Sequence, residues 1–177
     1  CEANMWVKYL RRIMVHDVPM QHREETSKYT ELMPDGTAQR FSWYMEANSV
    51  ITYPSPDFKM QGPGKYYIRG LAWSGRGKVA NVDISTDGGK NWKEAHFTSV
   101  VLDKAWTRFE MEWEWDGSEA FLMSRVTDET GYVQPPMPQM RNLEGTNNVY
   151  HRTAMVTWRV HGWDEGKNGG MIENVQY

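Results

Sequence analysis

Three features of the 177-residue sequence predict an all-β chain folded as an immunoglobulin-like antiparallel β-sandwich. Apolar and polar side chains alternate with a period of two over several short runs, the pattern of strands with one face buried and one face wet. Gly, Pro, Asn and Asp, the residues that turn a chain, separate these runs at regular intervals. No strand pattern alternates with a helical one, and no internal repeat divides the chain, so a parallel α/β sheet and a repeat array are both excluded. Roughly seven short strands at this spacing suit two packed antiparallel sheets.

Residues 1–37 read differently from the rest. Residues 6–15 are a mixed apolar and basic strand-like run, the charged stretch 21–31 follows it, and Pro34-Asp35-Gly36 turns the chain. Arg23-Glu24-Glu25-Thr26-Ser27-Lys28-Tyr29 suits a short helix or a solvated linker. From Arg40 onward strands dominate. Residues 41–45 and 49–53 are β-prone, and Pro54, Pro56, Gly62, Pro63 and Gly64 close them off. Residues 65–73 carry Tyr66, Tyr67, Ile68 and Leu71 into a central hairpin. Over 79–86, Ala80, Val82 and Ile84 are expected on the packed side and Asn81, Asp83 and Ser85 on the wet side. Asp87-Gly88-Gly89 turns the strand back, because glycine accepts positive φ and Asp bonds its own backbone.

Residues 106–115 alternate almost without a break, with Phe109, Met111, Trp113 and Trp115 on one side and Arg108, Glu110, Glu112 and Glu114 on the other. Ala120, Leu122, Ser124 and Val126 give a further strand, and Ala154, Val156, Trp158 and Val160 another. The stretch 162–170 is too polar and glycine-rich to pack as an element, while Met171, Ile172 and Val175 suit a final edge strand.

The formal charge of −3 gives no reason to expect nucleic acid or an acidic membrane as partner, since those need a basic surplus. No run of about 18 apolar residues is present to span a bilayer as a helix. Cys1 is the only cysteine, which excludes an internal disulfide and a thiolate metal cluster. His16, His22, His96, His151 and His161 lack the spacing that puts two imidazoles on one ion, so no metal ligands are assigned. The 12 methionines are scattered as packing residues are. Most of the nine tryptophans, Trp113 and Trp158 among them, are assigned to the core.

Residues 85–92 resemble the Asp-box of sialidases, Ser-x-Asp-x-Gly-x-x-Trp. A propeller needs repeated boxes and this chain has one, so the motif is read as hairpin chemistry, Asp87 capping the turn and Trp92 covering it. Upstream, Trp73-Ser74-Gly75-Arg76-Gly77-Lys78 places two cations on a glycine-rich loop, an arrangement that suits an anion.

Several blocks occur together in order: Gly70-Leu71-Ala72-Trp73-Ser74-Gly75-Arg76-Gly77-Lys78, Val82 through Trp92, Ala105-Trp106, Arg125-Val126-Thr127-Asp128, Gln134-Pro135 and Asn148-Val149-Tyr150-His151-Arg152. In order and approximate spacing they resemble the C-terminal dimerisation domain of the sulfite oxidase family of molybdenum oxidoreductases, over roughly 40–161. Trp6-Val7-Lys8-Tyr9-Leu10 resembles the run that ends that family's molybdenum domain. Arg23 through Thr30 looks most like the SoxC branch, the molybdenum subunit of sulfane dehydrogenase.

The resemblance implies a division into 1–37, the end of the molybdenum-cofactor domain and a linker; 38–161, the dimerisation domain; and 162–177, a C-terminal tail. It implies that most of the molybdenum domain is missing, so that this chain alone holds no cofactor, carries no catalytic residue and does not turn over. Cys1 lies beyond the cysteine that ligates molybdenum in the family. Trp6, Val7 and Lys8 correspond to the run that touches the molybdopterin cofactor. Lys78 stands where sulfite oxidases place an Arg near the oxyanion substrate, and Arg76 where they have Gly. Lys cannot match a guanidinium's bidentate grip on a sulfur oxyanion, so a carrier-bound sulfur substrate is consistent with the SoxC-like segment. A homodimer, a cytochrome c electron acceptor and a periplasmic location complete the expectation. The rival from another class is a carbohydrate-binding sandwich using exposed tryptophans.

Overall fold

The computed structural model describes residues 7–20, 30–32, 38–40, 44–56, 58–136 and 154–175. The chain divides into two compact units, residues 1–45 with 138–152, and residues 46–137 with 153–177. In the first, β1 (Thr30–Leu32) and β2 (Ala38–Arg40) form an antiparallel ribbon with Glu31 opposite Gln39. Residues 7–20 contain no strand and are exposed, so the strand-like run expected over 6–15 has no ladder partner among the described residues. The helix or linker expected at 23–29, the turn at 34–36 and residues 41–43 lie outside the described residues.

The second unit is the sandwich. Its strands are β3 (Asn48–Tyr53), β4 (Gly64–Trp73), β5 (Val79–Ser85), β6 (Lys93–Glu94), β7 (His96–Phe97), β8 (Thr107–Trp115), β9 (Ala120–Asp128), β10 (Thr157–Val160) and β11 (Ile172–Val175). One sheet has the order β3-β4-β8-β7 and the other β11-β10-β9-β5-β6, with every paired neighbour antiparallel. Residues 172–175 form the final edge strand the sequence suggests, pairing with β10 from Val160–Ile172 to Thr157–Val175.

The core follows from alternation. On β8, Thr107, Phe109, Met111, Trp113 and Trp115 are buried, while Arg108, Glu112 and Glu114 are exposed. Their cross-strand partners on β4 include Tyr66 opposite Trp113, Ile68 opposite Met111 and Gly70 opposite Phe109. A Cβ on Gly70 would stand 2.2 Å from Phe109 Cζ and 2.3 Å from the Val50 carbonyl oxygen, so only glycine lets that ring lie across the strand. The second sheet contributes Val82, Ile84, Leu122, Val126, Val160 and Ile172. Each such aliphatic side chain is worth about 1.5 to 3 kcal/mol when taken out of water.

The strict alternation fails at three places. Ala80 is exposed and Val79 buried, because the β5–β9 register shifts between Val79 and Asn81 and the extra residue turns Ala80 outward. Ser85, expected in water, is 1% exposed; its hydroxyl is used inside the turn. On the short β10, Thr157 and Val160 are buried while Trp158 is half-buried and packs against the edge of the core.

The hairpin after β5 is built by Asp87. Its Oδ1 accepts from the backbone N–H groups of Lys90 (3.0 Å) and Asn91 (2.9 Å) and from the Ser85 hydroxyl (2.8 Å), and Oδ2 accepts from Asn91 Nδ2 (2.7 Å). These bonds, those from Asn91 foremost, hold the carboxyl far below the usual carboxylate range. Gly88 (φ 75°) and Gly89 (φ 89°) supply the left-handed backbone, and Trp92 Nε1 donates to the Gly89 carbonyl at 3.0 Å. The Asp-box residues thus act as a hairpin cap.

Candidate functional site

The loop Ser74–Lys78 connects β4 to β5, and its fastening is polar and buried. Ser74 Oγ donates to Asp128 Oδ2 at 2.8 Å and accepts from the Arg76 N–H at 3.1 Å. Asp128, at the end of β9, is 1% exposed and accepts at Oδ1 from Thr130 N (2.9 Å), Thr130 Oγ1 (2.6 Å) and Tyr132 N (3.1 Å). Burial pushes its carboxyl up; the bonds from Thr130, Ser74 and Tyr132 outweigh that and leave it below the ordinary carboxylate range. An ionised Asp128 therefore anchors the loop. Two backbone bonds complete the frame, Lys104 N–H to the Gly77 carbonyl at 3.2 Å and Glu129 N–H to the Lys78 carbonyl at 3.0 Å.

This frame treats the two loop cations differently. Arg76 Nη2 lies 2.6 Å from Glu46 Oε1, and its guanidinium sits over the Tyr132 ring at 5.3 Å. Lys78 is exposed and has no side-chain partner among the described residues. The Glu129 carboxylate lies across Gly77, where a Cβ would stand 2.0 Å from Glu129 Oε1. Among the described residues, the loop thus carries one paired cation and one without a side-chain partner, with a carboxylate across the glycine between them. Glu46, Asp128, Glu129 and Tyr132 were not identified from sequence, since they come from other segments and no spacing rule links them to the loop.

Beside the loop, Trp73 stacks on Trp106, with ring centroids 5.2 Å apart and planes 18° from parallel. Trp106 is 65% exposed, and Val100 and Leu102 of the same connection are exposed as well.

Of the residues expected to touch a cofactor, Trp6 lies outside the described residues. Val7 and Lys8 are exposed on a segment without regular structure. No group of three His, Cys, Asp or Glu side chains suited to a metal ion occurs among the described residues. No helix of the described residues is long and apolar enough to cross a membrane.

A separate open cleft of about 440 Å³ lies between the β5–β6 hairpin and the β8–β9 turn, lined by Asp87, Lys90, Trp113, Glu114, Asp116 and Glu119 among others. Its acids Asp87 and Asp116 are already engaged by their own turns. At the far edge of the five-stranded sheet, His161 lies between Glu165 (2.7 Å) and Glu173 (3.1 Å), while Arg159 reaches Glu119 (2.5 Å) and Glu173 (3.3 Å). That cluster ties the terminal strand to the body of the sheet.

Comparison with known proteins matches residues 39–158 to the Mo-co oxidoreductase dimerisation domain. The chain is 29% identical over 164 residues to sulfite oxidase of Gallus gallus, covering 82% of this chain and 35% of the relative. It is 34% identical over 112 residues to sulfite oxidase of Arabidopsis thaliana, covering 56% and 28%, respectively. Among solved structures, the sulfane dehydrogenase SoxCD from Paracoccus pantotrophus is similar at 51% identity and a TM-score of 0.87, covering 99% of this chain and 44% of that one. The chain spans about a third or less of the length of these two curated relatives.

Proposed function

Because the chain belongs to the Mo-co oxidoreductase dimerisation domain family, we propose that it is the dimer-forming part of a molybdenum-dependent sulfite or sulfane dehydrogenase. In this reading the full-length protein oxidises a reduced sulfur compound in the periplasm and passes electrons to a cytochrome c. The observation that carries the reading is the 51% identity to sulfane dehydrogenase SoxCD over 99% of this chain, with the same fold. The molybdenum cofactor supplies the oxygen-atom and electron chemistry when bound. The exposed Val7 and Lys8, with Trp6, touch its edge in the full-length protein, and its cradle is built by other residues.

Within this chain, the contribution to the site is the Ser74–Lys78 loop. Lys78 offers an open ammonium to an anionic sulfur group, and Arg76 lies two residues away. Lys is a point charge on a flexible stem, suited to a single oxygen or sulfur atom more than to bidentate capture of an oxyanion. That favours a carrier-bound sulfur substrate over free sulfite.

A domain of this family is expected to self-associate through a closed two-fold contact burying more than about 1,000 Å². Sedimentation velocity at tens of micromolar is therefore expected to show a homodimer. A single species at the 20.7 kDa monomer mass contradicts dimerisation by this chain.

A further inference from the structure

We propose that His161 is a proton-operated clasp on the terminal strand β11: with both ring nitrogens protonated it bonds Glu165 and Glu173 at once, and when it gives up one proton the contact to β11 opens. The ring is 11% exposed and lies just past the end of β10. Nδ1 is 2.7 Å from Glu165 Oε2, and Nε2 is 3.1 Å from Glu173 Oε1. A carboxylate only accepts, so both nitrogens must donate, and only the imidazolium carries two N–H groups. A neutral ring turns a bare lone pair toward one of the two acids.

The surroundings decide which contact is lost. Glu165 is tied down from its other oxygen, Oε1 accepting the Gly162 N–H at 3.0 Å, whereas Glu173 Oε1 has Arg159 Nη1 at 3.3 Å as a second donor. The remaining proton therefore stays on Nδ1, and the contact given up is the one to β11. Charged groups reach this corner from every neighbouring element: Glu119 from the β8–β9 turn, Asp164 beside Gly162 and Glu165 from the turn after β10, Glu173 from β11, and Arg159 from β10 itself. The bond from His161, followed by the Gly162 N–H, holds the Glu165 carboxyl below its usual range. Its share of the clasp is thus present above the unfolded-state value and lost as pH falls through the lowered one. The share of His161 is present while the ring holds both protons and lost as pH rises past its titration. Pairing with β10 and the buried Ile172 remain, so β11 loosens without leaving the sheet.

The test follows hydrogen exchange of the β11 amides in the 177-residue chain, corrected for intrinsic exchange rates, while nitrogen-15 NMR reports the His161 ring. One pH unit above the ring's titration midpoint, β11 protection is expected to be at least about threefold lower than one unit below it, the size of a charge-assisted contact half in water. The β9 amides are expected to keep their protection, and Nε2 is expected to be the nitrogen that loses its proton. In Glu173→Gln, where an amide can donate to Nε2 or accept from it, β11 is expected to exchange alike on both sides of the midpoint, as it is in His161→Gln. Protection of β11 that does not change across the midpoint, or a drop shared equally by β9, overturns the proposal. A drop that persists in Glu173→Gln overturns it as well, assigning the effect to another group such as His96, which lies beside Glu110 on the other sheet. A proton kept on Nε2 leaves the Glu173 contact intact and contradicts the clasp directly.

Discussion

Trp115→Ala lowers the unfolding free energy by about 3 to 5 kcal/mol, the range for emptying a large aromatic from a packed interior. Trp115 is 2% exposed, lies edge-on to Tyr66 at 6.2 Å and packs obliquely on Trp113 at 6.1 Å. Its Nε1 donates to the Ser118 carbonyl at 2.7 Å, so the substitution also removes the bond that closes the β8–β9 turn. Aromatic pairs add about 0.5 to 1.5 kcal/mol beyond buried area, which places the loss toward the upper end. Against a domain stability of about 5 to 15 kcal/mol, this removes a large fraction. Glu112→Ala on the same strand is the control. Its side chain is 53% exposed and, among the described residues, pairs with Lys65 at the surface, so the urea midpoint is expected to move little. Urea unfolding of the two variants, with equal slopes, checks the ranking; equal midpoints for both contradict the inward phase of β8.

If the proposed function holds, Lys78→Ala in the full-length protein is expected to lower kcat/KM for a reduced sulfur substrate by a factor of about 10 or more, since a charge-assisted bond to an anion is worth about 1.5 to 3 kcal/mol. Lys78 is exposed and partnerless among the described residues, so its loss leaves folding untouched. Arg76→Ala separates the two cations. With its guanidinium committed to Glu46 and Tyr132, Arg76 is expected to change kcat/KM less than Lys78 does. Steady-state kinetics on both variants decide the matter. Damage confined to Arg76→Ala moves the anion contact to the guanidinium, and unchanged kinetics in both leave the loop without an active-site role. A carbohydrate-binding sandwich responds differently, losing polysaccharide retention when the exposed Trp106 is removed and ignoring both loop variants.

Much of the sandwich is legible in the sequence because its long strands obey one simple rule. On β8 and β9 each second side chain is buried, so apolar alternation reports the phase directly. The rule fails where the backbone leaves it. The register shift between Val79 and Asn81 turns Ala80 outward, and nothing in Val79-Ala80-Asn81 announces a bulge. Buried polar side chains are likewise hidden. Ser49, 1% exposed, donates to Gln134 Oε1 at 2.6 Å and lies 2.9 Å from Ser124 Oγ, a partner 75 residues along the chain. A serine read alone is assigned to water, because its satisfying partners are brought up only by the fold.

The candidate site divides in the same way. Arg76 and Lys78 are conspicuous because cations on a glycine-rich turn are unusual, and their chemistry is visible in the letters. Which of the two is open is not visible. That is settled by Glu46, 30 residues upstream, and by Tyr132 on the connection after β9. The fastening of the loop through Ser74 and Asp128 spans 54 residues and is equally silent until the sheets assemble.

Whether this chain is part of a molybdenum-dependent sulfur oxidoreductase is decided by the molybdenum content of the intact protein purified from its source. Molybdenum is expected in stoichiometric amount with the protomer. A folded, full-length protein that carries no molybdenum after growth with ample molybdate contradicts it.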